Sequence, residues 1–191
     1  MSKIGDLFFI RKHHVCPRWL CFTFDNWIRR RLQNPDQIIK PYVREGDTVV
    51  DVGPGIGFFT IPIARLVGYS GHLIAVDIQE EMLTAISQRA IRAGVADRIS
   101  TQLASPVSLN VTVRADFILA FWMAHEVPDS KRLFGQLHDT LKGTGRFLLA
   151  EPKVHVTEKH FHSLVDAAVQ AGFTTVEYPS VALSRAALFK R

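Results

Sequence analysis

With 191 residues, of which 47% are hydrophobic and 21% charged, the chain has the size and composition of one globular domain with a single core, and leaves no room for a second full domain beside a seven-stranded sheet. The longest uncharged apolar run, Phe117 to Ala124, is too short to cross a bilayer, and Pro17, Arg18 and Asp25 interrupt the apolar stretch near the N-terminus, so neither a spanning helix nor a signal peptide is expected. The net charge of +5 resides in residues 1–40, which hold eight basic and three acidic side chains; the neutral remainder leaves this segment to meet an acidic substrate, an anionic lipid surface or nucleic acid.

Residues 1–43 read as a basic, aromatic, helical N-terminal segment, and residues 44–191 as the main domain. Leu20, Phe24, Trp27, Ile28 and Leu32 share a helical face, Arg29 to Arg31 suit the negative end of that helix, and Asn34-Pro35 stops it. A second short helix runs from Pro35 through Ile38 and Ile39 toward Tyr42 and Val43. The segment is read either as a lid that lines an acceptor pocket or as an amphipathic helix packed on the sheet edge with its arginines in solvent. Cys16 and Cys21, preceded by His13 and His14, do not have the spacing of a zinc hook and lack a second pair, so no metal site is expected. The two thiols remain candidates for holding a soft acceptor, and with no secretory signal they fit a reducing cytoplasm better than a disulfide scaffold.

Thr48 to Val52 is an apolar strand that runs into Gly53, Gly55 and Gly57, and an apolar helical pattern from Ile56 to Val67 follows at once. Pro62 inside that pattern either kinks the helix or marks a late start. A dinucleotide fingerprint requires glycine at the sixth position, where this chain has Phe58, which argues against NAD. Asp51, two residues before the first glycine, suits a cationic ligand better than a diphosphate. Leu73 to Asp77 is the second strand, and Asp77 lies 20 positions after Gly57, where a strand-end carboxylate accepts from ribose hydroxyls. The ligand expected here is an adenosine without a pyrophosphate.

The remaining elements alternate. A helix from Gln79 to Ala93, with Met82, Ile86 and Ala90 inward, ends at Gly94, and Arg98 to Leu103 is the third strand. Pro106 to Arg114 has little room for a helix. Ala115 to Phe121 is apolar throughout, as a parallel strand buried on both faces should be, and delivers Trp122 to Glu126 at its carboxyl end. A helix with Leu133, Phe134, Leu137 and Leu141 on one face is capped by Asp129 or Ser130; Lys142 to Gly145 then turns into a strand over Arg146 to Ala150. The last helix, Thr157 to Ala171, has Phe161, Leu164, Val165, Ala168 and Val169 at helical spacing, and a hairpin of Thr174 to Tyr178 and Ala182 to Lys190 closes the chain. This order predicts an α/β, doubly wound, Rossmann-like sheet of seven mostly parallel strands with an antiparallel last strand.

Asp51-Val52-Gly53-Pro54-Gly55-Ile56-Gly57 and Asp77-Ile78 resemble the glycine-rich motif and the ribose-binding acid, with its adenine-packing neighbour, of the class I S-adenosylmethionine-dependent methyltransferase family. The likeness extends over about residues 40–191 and is greatest for the ubiquinone/menaquinone-type branch with a methyltransferase type 11-like core. It implies S-adenosylmethionine as cofactor, held by Asp51, Gly53, Pro54, Gly55, Gly57, Asp77, Ile78, Ala104, Ser105 and Phe121. Where the family has an acid after the third strand, this chain has Ala104-Ser105-Pro106, so a neutral hydroxyl replaces a charge beside the adenine.

His125 is the candidate base, because imidazole titrates near neutrality and stands at a strand end on the ligand side; a pocket-lining histidine is the alternative. Glu126 and Glu151 are secondary candidates that would otherwise cap a helix or sit in solvent, and His155, His160 and His162 share no helical face. The expected activity is methyl transfer by in-line displacement to a small or lipophilic acceptor. An RNA or protein methyltransferase using the arginine cluster, without the Asn/Asp-Pro-Pro-aromatic mark of nitrogen methylation, and a non-catalytic cofactor sensor are the alternatives.

Overall fold

The structure is a computed structural model that describes residues 27–191. The readings of His13, His14, Cys16, Cys21, Leu20, Phe24 and the other aromatic side chains before Trp27 lie outside the described residues.

The strands are β1 (Thr48–Val52), β2 (His72–Asp77), β3 (Ile99–Leu103), β4 (Ala115–Phe121), β5 (Leu141–Pro152), β6 (Thr174–Glu177) and β7 (Ser184–Lys190). They form one sheet in the order β3-β2-β1-β4-β5-β7-β6. The first five are parallel to one another, while β7 runs antiparallel to both β5 and β6. The helices are α1 (Trp27–Leu32), α2 (Pro35–Ile39), α3 (Thr60–Leu66), α4 (Glu80–Ala93), α5 (Ser130–Thr140) and α6 (Glu158–Gln170). This is the doubly wound architecture expected from the alternation of elements.

Burial on both sheet faces explains the uninterrupted apolar strands. Along β4, Phe117, Leu119 and Phe121 face the core shared with Ile39, Phe59, Ile63 and Ile86 of the α2, α3 and α4 side. Ile118 and Ala120 point the other way, into the core with Leu133, Phe134, Leu137, Phe161 and Leu164 of α5 and α6. After β3 the chain crosses back to place β4 on the other side of β1, so the crevice beyond the carboxyl ends of β1 and β4 is the switch point where such sheets take ligands.

Several boundaries move. The helix after the glycine turn begins at Thr60, so Ile56 to Phe59 stay in turns and Pro62 falls in the first helical turn, where its missing N–H costs no bond. The fifth strand starts at Leu141, before the Lys142 to Gly145 turn predicted to precede it; an irregularity between Ala115 and Phe117 of β4 absorbs the extra residues. Asp129 is the cap of α5, accepting from the Arg132 N–H at 2.9 Å. Val169 and Leu32, both placed on apolar helical faces, are exposed. Next to Leu32, just after α1, the polar Gln33 is buried.

Candidate functional site

The turn after β1 is shaped by its glycines. Gly53 has φ +64°, and a Cβ there would stand 2.7 Å from the Cβ of Met123, so the turn can pack against the segment after β4 only because that atom is absent. Gly55 has φ +56°, yet nothing lies within 4 Å of its Cβ position; its outer side is open. Pro54 accepts from the Gly57 N–H at 3.0 Å and closes the turn, while the Gly53 N–H donates to the Val76 carbonyl at 2.9 Å and ties it to β2.

Two carboxyls stand at the strand ends. Asp51 is buried in β1 and accepts from the Thr60 hydroxyl at 2.7 Å. Burial, only partly offset by that hydrogen bond and reinforced by the charge of Asp77, pushes its pKa up to about 7. Asp77 accepts from the Gln79 N–H at 2.9 Å. Burial raises its pKa to about 6, against the opposing pull of backbone donors at Gln79, Ile78 and Gly55. Asp77 is thereby joined to the glycine turn, and the adjoining Ile78 side chain is 45% exposed. An open glycine approach, a carboxyl and a solvent-facing aliphatic wall fit the ribose and ring of an adenosine.

Ala104 continues this edge through its N–H, which donates to the Asp77 carbonyl at 2.9 Å. The Ser105 hydroxyl is engaged locally, accepting from the Ser108 N–H at 3.0 Å within a turn that ends β3. That turn is held to α5 by Gln136, whose amide accepts from Leu109 N–H at 2.7 Å and donates to the Val107 carbonyl at 3.0 Å. Ser105 therefore shapes the edge more than it offers a free donor. The Phe121 ring is buried 4.3 Å from the Phe59 ring and 5.6 Å from that of Trp122.

Beyond β4, a 3-10 turn (Ala124–Glu126) brings His125 to the end of β5. Its Nδ1 lies 2.5 Å from Oε2 of Glu151, whose other oxygen accepts from the Ala124 N–H at 2.9 Å. Glu151, a secondary candidate base with capping or solvent exposure as the alternatives, is fully buried, and it accepts the first N–H of the 3-10 turn while holding His125. With a carboxylate as partner, Nδ1 carries the proton and Nε2 is left for other chemistry. Burial works against the charged imidazolium, but the hydrogen bond and charge of Glu151, with Glu126 adding, outweigh it and hold the His125 pKa above its ordinary value.

The N-terminal helix reaches the same edge. The Arg29 guanidinium lies 4.1 Å from the centre of the Phe58 ring and 4.4 Å from that of Trp122. Its Nε donates to Gln33 at 3.0 Å, and Gln33 Nε2 in turn donates to the Ala182 carbonyl at 2.6 Å and lies 3.2 Å from the Ser184 hydroxyl. Ser184 also accepts from the indole N–H of Trp122 at 2.8 Å, and Trp122 has φ +61°, an unusual backbone state for a bulky residue. Arg29 is thus half-buried against these rings, unlike the solvated arginine of the edge-packed reading, whereas Arg31 is exposed. His155 and His160 are exposed, and His162 pairs only with Glu158 at 3.8 Å; among the described residues no group of three ligating side chains could hold a metal.

Sequence reasoning missed Thr60, Gln33, Ser184 and Gln136, all polar groups whose partners are distant in the chain or hidden in a helix start. An acid ending the buried run Phe147 to Ala150 was the one available signal for Glu151.

Three likenesses bear on this arrangement. The chain is 30% identical over 115 residues to the demethylmenaquinone methyltransferase of Symbiobacterium thermophilum, a match covering 60% of this chain and 46% of that protein. It is 30% identical over 110 residues to the ubiquinone/menaquinone biosynthesis C-methyltransferase UbiE of Pasteurella multocida, covering 57% and 41% respectively. The chain thus spans less than half the length of these relatives. Its fold is similar to the crystal structure of a SAM-dependent methyltransferase from Aquifex aeolicus, with TM-score 0.81 and 20% identity over 92% of this chain and 98% of that one. The methyltransferase domain family matches residues 44–182, which hold β1 to β6, and the chain belongs to that family, whose cofactor is S-adenosylmethionine.

Proposed function

We propose that this chain is an S-adenosylmethionine-dependent methyltransferase acting on a small lipophilic ring acceptor, with His125 as the base that removes the acceptor's proton. The observation that carries the reading is the pair formed by His125 and the buried Glu151 at the carboxyl end of the sheet, on the edge that also holds the glycine turn. The relatives named for menaquinone and ubiquinone biosynthesis support a lipophilic acceptor.

When bound, the cofactor supplies an electrophilic methyl group together with its own leaving group. In this reading Gly53, Pro54, Gly55 and Gly57 give the ligand close backbone approach, Asp77 takes the ribose hydroxyls, and Ile78 and Ala104 flank the adenine. Asp51 contributes negative potential from beneath the turn, while Ser105 and Phe121 act through the shape of the edge. Glu151 fixes the tautomer of His125, so that Nε2 can accept a proton as the acceptor is attacked. Phe58, Trp122 and Arg29 of α1 form an aromatic and cationic wall. Exclusion of water by that wall favours alignment of the two reactants, the main contribution a protein makes to such a displacement.

A nucleic-acid acceptor gains little from the structure, because Arg29 of the arginine cluster is spent in stacking on Phe58 and Trp122. The test has two stages. S-adenosylmethionine and its demethylated product should each raise the melting temperature, since both bind the folded state. Transfer of a labelled methyl group to hydroquinones and phenols carrying apolar chains should then exceed transfer to RNA or protein. Stabilisation by the cofactor without transfer to any acceptor would point to the sensor reading.

A further inference from the structure

The carboxyl edge that holds His125 and Glu151 also carries an outward-facing set of apolar and basic side chains that the transfer reaction does not use. Pro152 of β5 pairs with Ser184 of β7, so the end of one strand and the start of the other lie side by side. Just beyond them, the Lys153 N–H donates to the Leu183 carbonyl at 2.9 Å. Val154 is 83% exposed and Leu183 48% exposed at this point, with Tyr178 exposed nearby across a cavity of about 400 Å³ lined by Lys153, Phe161, Tyr178, Val181 and Ser184. Gln33 bonds α1 to Ala182 in the same loop, which brings the exposed pair Arg31 and Leu32 to the neighbourhood. Leu183 has φ +62°, a left-handed state unfavourable for a leucine, and its side chain is exposed there.

Charge accompanies these side chains. Arg31, Lys153 and Lys159 are exposed, and Glu158 is the single acid among residues 153–160. Residues 1–40, which include α1 and α2, hold the entire net charge of +5. Scattered aliphatic side chains flanked by cations match a bilayer boundary, where apolar groups enter between acyl chains while lysine and arginine meet anionic head groups.

We propose that this edge docks on an anionic phospholipid surface, with Val154, Leu183 and Leu32 entering the interface and Arg31 and Lys153 contacting the head groups. Docking would turn the mouth of the candidate site toward the membrane, a direct route for the lipophilic acceptor, and to that extent the inference rests on the function proposed above. No spanning helix is needed, and none is long and apolar enough among the described residues.

The full-length protein is to be sedimented with phosphatidylcholine vesicles with and without phosphatidylglycerol. Binding is expected only with the anionic lipid. Val154→Ser with Leu183→Asn should weaken partition about tenfold, the scale of two aliphatic side chains withdrawn from an apolar boundary, with asparagine chosen because it tolerates the left-handed backbone. Arg31→Gln with Lys153→Gln should weaken binding and flatten its salt dependence. Retained stabilisation by S-adenosylmethionine shows that each variant is folded. Equal vesicle binding by wild type and both variants would overturn the proposal, leaving charge on the N-terminal segment as the attraction. So would a doubled mass in solution that the apolar variant abolishes, since the edge would then join two copies, or binding to RNA with none to vesicles. If no vesicles bind while methyl transfer to a dissolved lipophilic acceptor persists, docking fails and the proposed activity stands.

Discussion

His125 Nδ1 and Glu151 Oε2 lie 2.5 Å apart, joining the turn after β4 to the end of β5, and Glu151 has no exposure to solvent. The contact raises the pKa of the imidazole against the effect of its burial, so the proton-accepting form gains population only as pH rises through that elevated value. Glu151→Gln keeps an acceptor for one N–H while removing the charge. It should lower kcat about a hundredfold, the scale of a lost general base, and move the midpoint of the acidic limb of the kcat–pH profile to lower pH. A fall in kcat with an unmoved midpoint would assign Glu151 to holding Ala124 alone.

Asp51 and Asp77 impose a second pH dependence. Their folded-state pKa values of about 7 and about 6 both exceed the ordinary 3.8, so the folded protein binds more protons than the unfolded chain between those limits. The sign follows from linkage. This contribution to stability is complete below the ordinary carboxyl value and is lost as pH rises through the folded values. The ligand-free protein should therefore melt lower as pH rises from about 4 to about 7, and Asp51→Asn should remove much of that slope. Binding of the cationic cofactor should run the other way, tightening as the two carboxyls ionise. Calorimetric titration across this range, with the uncharged thioether product as comparison, checks both directions.

The fold was readable because its signals are local. A run such as Phe117 to Phe121 can be stable only where both faces are covered, and the three glycines mark a turn whose backbone takes positive φ at each of them. Asp77 was marked by its fixed distance after the glycines, and Ile78 only by the resemblance to the family. What escaped depends on contacts between distant segments. Nothing near Gln33 announces Ser184, 151 positions away, and nothing in Ser105 shows that its hydroxyl is occupied by the Ser108 N–H. The late start of α3 escaped because Ile56 and Phe59 fit a helical pattern, yet both are buried from within turns.

Gly53 and Gly55 should separate the structural and ligand functions of the turn. Alanine at either adopts a left-handed backbone, at a cost of roughly 1–2 kcal/mol. At position 53 the added carbon also meets Met123 at 2.7 Å, so Gly53→Ala should lose more stability than Gly55→Ala. At position 55 the carbon enters open space, and the larger effect there should be on cofactor affinity. Chemical denaturation of both variants, paired with cofactor titration, measures the two losses. Equal affinity of Gly55→Ala and the native protein would place the ligand elsewhere.

Gln33 tests whether α1 forms part of the acceptor wall. Its amide is buried and serves Ala182 and Ser184, so Gln33→Ala removes two buried hydrogen bonds and leaves a small void just after the helix, while Ser184 keeps the Trp122 N–H and its own bond to the Ala182 carbonyl. The expected loss is about 2 kcal/mol, or roughly 4–8 °C in Tm for a protein of this size. If the helix only packs on the edge, the loss ends there. If Arg29, held by Gln33 between Phe58 and Trp122, shapes the acceptor wall, KM for the acceptor should rise while affinity for S-adenosylmethionine stays near its native value. A parallel Arg29→Leu variant removes the cation and keeps an apolar side chain between the rings. Agreement of the two variants in acceptor KM would tie that effect to the stacked arginine, whereas a lower Tm with native KM in both would leave α1 a purely structural part of the edge.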